Sequence, residues 1–235
     1  MQEFLHGTLA FILCVIPLAA IMMLARHFLK IPDELFRKVL HCILLIGYFP
    51  FLFAFDTWWL SVTLVLGLMV VAYPILALCG KLPAFSSFVN ERKRGEFKSS
   101  LVLAMLMMAL SITICWGILG DRLLVLACIY AWGVGDAFAA LVGKRFGKHK
   151  VKLPFADPRK SWEGSAAMFL CSVISVLTVL LFRGGLAFGS CLLVAIPAAI
   201  VTTYVELITK GGLDTITCPT AAMAVILPLI QILGG

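Results

Sequence analysis

An aspartate stands inside an apolar segment, and a basic cluster follows it one or two helical turns on. The stretch 131–150 reads AWGVGDAFAALVGKRFGKHK: an apolar run entered from Leu123 meets Asp136, then Lys144, Arg145, Lys148, His149 and Lys150. A carboxylate in an apolar helix is costly unless it is paired or holds a cation. On a helix Gly133, Asp136, Ala140 and Gly143 follow i, i+3, i+7, i+10 and form one stripe of mostly small residues. Such a stripe lets a neighbouring helix or a ligand approach the backbone, so Asp136 is expected to face the bundle interior. Its hard oxygens suit Mg²⁺, the companion of nucleotide phosphates; a structural pair with a basic residue on another helix is the alternative.

The chain past Asp136 extends the theme. In GKRFGKHKVKLPFADPRKSWEGSAAMF, Gly143 and Gly147 allow turns, and Lys144, Lys148 and Lys150 are cations of a kind that holds phosphate. Asp157-Pro158 reads as a helix start with proline at the first helical position. That start would place Lys160, Ser161 and Glu163 on the first turn and aim its amides at an anion. In ELFRKVLH, Arg37 and Lys38 precede His41 by four and three residues, so the three can converge one turn inside a helix. In YVELITKGGLDTITCP, Glu206 ends an apolar segment and Asp214 follows a Gly-Gly turn. Glu206 can pair with Lys210 at i+4, or the two acids can complete a metal site with Asp136. NERKRGEFKSS, of mixed charge, reads as a solvated loop.

The elements that must position these groups are membrane helices. The chain has 235 residues, 62% hydrophobic and 13% charged. A soluble core of that size cannot bury so much apolar side chain, and runs of about 20 apolar residues, enough to cross a bilayer, recur throughout. Spans are expected near 4–25, 37–55, 57–79, 99–119, 122–143, 162–182, 187–208 and 217–233. The seventh is interrupted by Pro197 and the eighth is short, so seven spans is the other count. The fold class is therefore all-α: a polytopic transmembrane helical bundle, one integral membrane domain over 1–235. The first apolar run is longer than a signal-peptide core and has no basic residue before it, so it reads as a retained span. The eight cysteines are scattered singly with no CxxC, which argues against a metal or disulfide framework.

Alternating eight spans sends seventeen of the nineteen Lys and Arg residues to one face, leaving Arg122 and Arg183 on the other. By the positive-inside rule the rich face is cytoplasmic and both termini lie opposite. Asp33, Glu34, Glu91, Glu96, Asp157, Glu163, Glu206 and Asp214 share that face or its border. Several carboxylates among many cations at one membrane surface suggest a polyanionic substrate held with a metal ion. No nucleic-acid partner is expected.

Taken together these residues resemble the CTP-dependent lipid-alcohol kinases, the family of dolichol kinase, phytol kinase and a yeast-type diacylglycerol kinase. The matches are Arg37, Lys38 and His41 of RKxxH; Glu96 and Ser99 of GEFKSS; and Gly135, Asp136, Ala137, Gly143, Gly147 and Lys148 of GDAFAALVGKRFGKHK. They continue with Lys160, Ser161, Glu163, Gly164 and Ser165 of KSWEGS, then Glu206 with Asp214 and Pro219. The resemblance spans about 35–225 in order; the last element departs from it, with Thr215 where the family often has asparagine. It implies transfer of the γ-phosphoryl group of CTP to the hydroxyl of a membrane lipid (a polyprenol, a phytol-like alcohol or a diacylglycerol), with Mg²⁺ or another divalent cation. Implied roles are Asp136, Lys160 and Glu163 in catalysis; Lys144, Lys148, Lys160, Ser161 and Gly164 on the nucleotide phosphates; Arg37, Lys38 and His41 on the substrate; and Asp136, Glu206 and Asp214 on the metal. Two other functions fit the same residues: cytidylyl transfer to phosphatidate, and ion-coupled transport through intramembrane acids.

Overall fold

The computed structural model describes residues 2–79, 96–152, 156–210 and 212–234. Among the described residues eight α-helices follow in order: α1 (Gln2–Phe28), α2 (Asp33–Phe53), α3 (Trp58–Cys79), α4 (Glu96–Ser111), α5 (Arg122–Phe146), α6 (Trp162–Arg183), α7 (Phe188–Ile208) and α8 (Asp214–Ile232). Helix α4 runs on into a π-helical turn, Ile112–Ile118. All eight are long and apolar enough to cross a membrane, as the apolar runs predict, and no β-strand forms among the described residues. Pro197 does not break α7, which runs unbroken through it; inside a bundle, neighbouring helices and local adjustment absorb the lost backbone bond. The basic run at Lys81, Arg92, Lys93 and Arg94 lies outside the described residues.

The expected helix start at Asp157-Pro158 is corrected by the structure. Helix α6 begins at Trp162, capped by Ser161, whose Oγ accepts from the Gly164 amide at 3.2 Å. Asp157 is spent elsewhere: its carboxylate accepts from the Arg159 amide at 3.0 Å and from the guanidinium at 3.1 and 2.7 Å. Serine with its hydroxyl on a first-turn amide is a strong cap, whereas an aspartate closed onto the next arginine makes a turn. So Lys160 precedes the helix instead of sitting on its first turn. The loop is pinned at both ends, by the Val151 amide on Lys160 O (3.1 Å), the Trp162 amide on His149 O (3.0 Å) and the Asp157 amide on Leu207 O of α7 (3.2 Å).

Helix α5 is the hub. It is buried along most of its length and packs on α2, α6, α7 and α8. Lipid supplies no hydrophobic drive between helices, so close approach through small residues does the holding. Gly135 faces Met168 and Ser172 of α6, and a side-chain carbon at Gly164 would meet the Ala139 carbonyl at 2.9 Å. Gly133 turns to Leu45 of α2. The stripe expected of Gly133, Asp136 and Gly143 therefore does serve close packing, divided between two neighbours.

Charged groups collect at the two ends of the bundle. At one end meet the start of α2, the end of α5, the loop before α6, the end of α7 and the start of α8. At the other, Glu3 accepts from the Asp56 and Thr57 amides at 2.7 and 2.8 Å, and Arg183 pairs with Asp121.

Two outcomes follow. Gly164→Val should force α5 and α6 apart and cost about 1–3 kcal/mol, as overpacking does; a melting midpoint in detergent equal to wild type would refute the close contact. Arg159 holds the Asp157 carboxyl down at about 2, from an ordinary 3.8. A depressed acid stabilises the fold above its unfolded pKa, and that stabilisation is lost as pH falls through the folded value. Pepsin should therefore nick the loop increasingly as pH falls from about 4 to about 2, and Asp157→Asn should be nicked at the upper end of that window already.

Candidate active site

Two lysine–carboxylate pairs build the site. Lys38 of α2 donates to Asp136 Oδ2 on α5, with both side chains largely buried. Lys160, at the end of the loop, donates to Glu206 Oε1 on α7, and Glu206 is 2% exposed. The pairs stand close: Asp136 and Asp214, the first residue of α8, are both within electrostatic reach of Lys160. Burial lowers the Lys160 ammonium pKa, and those two acids work against the shift. Around this centre His41 Nε2 lies 3.1 Å from the Gly133 carbonyl, to which its N–H donates. The His41 ring meets Trp132 edge to face at 5.2 Å.

Lys38, His41, Asp136, Lys160, Glu206 and Asp214 are thus brought together from four helices and a loop. Arg37 is half-buried on α2. Lys144 and Lys148 are exposed at the end of α5. Glu163 serves the loop: its carboxylate accepts from the amides of Lys148 (3.2 Å) and His149 (3.1 Å), and His149 Nδ1 lies 2.7 Å from it. Ser161 and Gly164 are occupied with capping and close packing, so the Gly164 amide is already bonded within the chain. The i+4 pair of Glu206 with Lys210 does not form; Lys160 takes Glu206 instead. The Glu96 side chain lies outside the described residues.

Sequence reasoning missed Trp132 and the clasp made by His149. Trp132 sits one turn before Asp136, on the same helical face. It is 6% exposed, yet its Nε1 has no hydrogen-bond partner among the described residues. An indole in an apolar run looks like core, and only the position four residues before an acid hints otherwise.

No group of three or more His, Cys, Asp or Glu residues is close enough to form an all-protein cage among the described residues. Nucleotide-bound Mg²⁺ needs less, one or two carboxylates with the phosphates supplying the rest. Glu206 Oε2 is buried and without a hydrogen-bond partner among the described residues, and an orphaned carboxylate oxygen on the acid that Lys160 holds fits such an ion.

Eight bilayer-length helices with buried charge pairs gathered at one end define an integral membrane protein with a polar site near one mouth of the bundle. The chain belongs to the cytidylyltransferase family, whose model matches residues 3–235. It is similar to the phytol kinase of Synechocystis sp., 30% identical over 201 residues that cover 80% of this chain and 76% of that protein. A probable chloroplastic phytol kinase of Triticum aestivum is 30% identical over 148 residues, 59% of this chain and 47% of that one. A probable phytol kinase 2 of Glycine max is 35% identical over 100 residues, 39% of this chain and 32% of its own length. The kinship implied by the sequence motifs is met. No solved structure matches the chain.

Breaking a buried pair strands a charge, at a cost of about 3–5 kcal/mol, while replacing both partners with apolar groups is close to neutral. Lys38→Met should therefore melt well below wild type in detergent, and Lys38→Met with Asp136→Leu should recover most of the loss. Equal melting of the single and double variants would remove the pair from the fold's support.

Proposed function

We propose that the protein is a lipid-alcohol kinase that moves the γ-phosphoryl group of CTP to the primary hydroxyl of a long-chain membrane alcohol of the phytol or polyprenol kind. The observation that carries this reading is the meeting of Lys38, Asp136, Lys160, Glu206 and Asp214 at one end of the bundle. That chain also aligns over most of its length with a phytol kinase. The basic residues gathered at that end favour a cytoplasmic site, and the whole chain acts as one membrane domain.

Phosphoryl transfer passes through a loose transition state, so the protein's work is positioning and charge neutralisation. Asp136, paired with Lys38, accepts the proton of the lipid hydroxyl as its oxygen bonds to the γ-phosphorus and the bond to the β-phosphate oxygen breaks, releasing CDP. Lys160 neutralises phosphate charge at the centre, and the exposed Lys144 and Lys148 draw in the triphosphate. Glu206 and Asp214 would hold a divalent cation, which when bound neutralises the phosphate oxygens. His41, tied to Gly133, and Arg37 border the substrate. Glu163, Ser161 and Gly164 act one step removed, by setting the loop that presents Lys148 and Lys160.

The test uses purified protein in detergent with CTP labelled at the γ-phosphate. Label should reach phytol or another polyprenol-type alcohol, and Asp136→Asn, assayed below its own melting midpoint, should lower kcat at least about 100-fold, the scale of a lost catalytic proton acceptor. Full activity in that variant would overturn the assignment of Asp136. The family's name favours one second reading, cytidylyl transfer to phosphatidate; there α-labelled rather than γ-labelled CTP would mark the lipid.

A further inference from the structure

Two apolar cavities adjoin each other through shared lining residues. The larger, about 50 Å³, is walled by α1, α2, α3 and α4, with Phe11, Leu44, Tyr48, Phe51 and Met105 among its lining. The smaller, about 10 Å³, shares Tyr48, Ala104 and Met108 with it and is closed by Trp132 and Pro219. Trp132 belongs to both worlds. Its ring packs on His41, it stands one turn from Asp136, and its buried Nε1 is a donor without an acceptor among the described residues. Buried polar groups in folded proteins are nearly always satisfied, so an orphan on a residue that lines an apolar cavity marks a place where a ligand atom belongs.

We propose that these cavities seat the hydrocarbon tail of the acceptor alcohol, and that Trp132 Nε1–H at their mouth donates to its hydroxyl oxygen. The inference rests on the lipid-alcohol reading of the same site. The direction is right: α2 carries Lys38 and His41 near its start and Leu44, Tyr48 and Phe51 successively deeper, so a tail entering beside Trp132 runs away from the charges into the bundle. The occupant must be apolar along its length, because the walls offer almost no polar surface. It must end in one hydroxyl, because one donor and one carboxylate four residues apart on α5 meet it. The cavities are narrower than such a tail, and Met105, Met107 and Met108 line them. Methionine is the side chain that re-packs most readily around a guest, so α4 supplies the yielding wall.

The experiment measures kcat and KM with γ-labelled CTP for geraniol, farnesol, geranylgeraniol and phytol, in wild type, Ala104→Phe and Trp132→Phe. Filling the cavities with Ala104→Phe should raise KM at least about tenfold for the longest alcohols and leave geraniol within about twofold. Removing one neutral hydrogen bond with Trp132→Phe should lower kcat/KM about 2- to 10-fold for every tail alike. An Ala104→Phe effect equal on all tails, or none, overturns the tail seat. No change in Trp132→Phe overturns the donor. Should Ala104→Phe fail to fold, a farnesol analogue with a tail-end diazirine decides the matter in the wild-type protein. Cross-links to the α4 peptide holding Met105 and Met108 support the proposal, and cross-links confined to α6, which lines neither cavity and exposes Leu170 and Ile174, overturn it. That readout reports binding without transfer. If the labelled tail is seated there but no alcohol receives the γ-phosphate, the kinase reading fails and the tail seat stands.

Discussion

A carboxylate at membrane depth must have a partner, and the architecture of this protein follows from how its acids find theirs. Asp136 meets Lys38 across the α2–α5 contact, and Glu206 meets Lys160 across the contact between α7 and the loop. Each pair joins segments that packing and backbone hydrogen bonds have already brought side by side. Once Lys38 is fixed on Asp136, His41, one turn along, is delivered to the Gly133 carbonyl and its ring to Trp132. Once Lys160 is fixed on Glu206, the loop between α5 and α6 has its position, and the amide of Asp157 reaches Leu207.

Helix α5 can serve as hub because its surface is divided. Its bulky residues fill the core, while Gly133, Gly135 and Gly143 let α2, α6 and the Ser161 cap come close. The same closeness places Asp136 among charges from other helices instead of in lipid. Packing and chemistry thus draw on one feature, the absence of side chains along part of one helix.

The two ends of the bundle use charge differently. At the end away from the site, Asp121 caps α5 through the Leu123 and Leu124 amides (2.8 and 3.2 Å) and pairs with Arg183, and Glu3 holds the turn between α2 and α3. Those groups are satisfied by the chain itself. At the site end Glu206 Oε2 and Trp132 Nε1 are left without partners among the described residues. Charge that is fully answered within the fold holds it together; polar atoms kept buried and unanswered are what a ligand can use.

Much of this was legible in the sequence, and the boundary is physical. Hydropathy is a local sum over about 20 residues, so the eight spans and the gathering of basic loops could be read without the fold, as could the chemistry available to Asp136, Lys160 and Glu206. Capping was read less well, since Asp157-Pro158 and Ser161 both carry the signals of a helix start and only the neighbouring guanidinium of Arg159 decides between them. Partnership was not readable at all. Lys38 lies 98 residues from Asp136, and Lys160 lies 46 from Glu206. Lys210, an eligible partner one turn from Glu206, is passed over. By itself the sequence determined that buried acids near one membrane face would need cations. Which cation answers which acid, and which polar atoms stay unanswered, was decided by the tertiary structure, because the close approach of α2, α5 and α7 sets those distances and no local pattern encodes them.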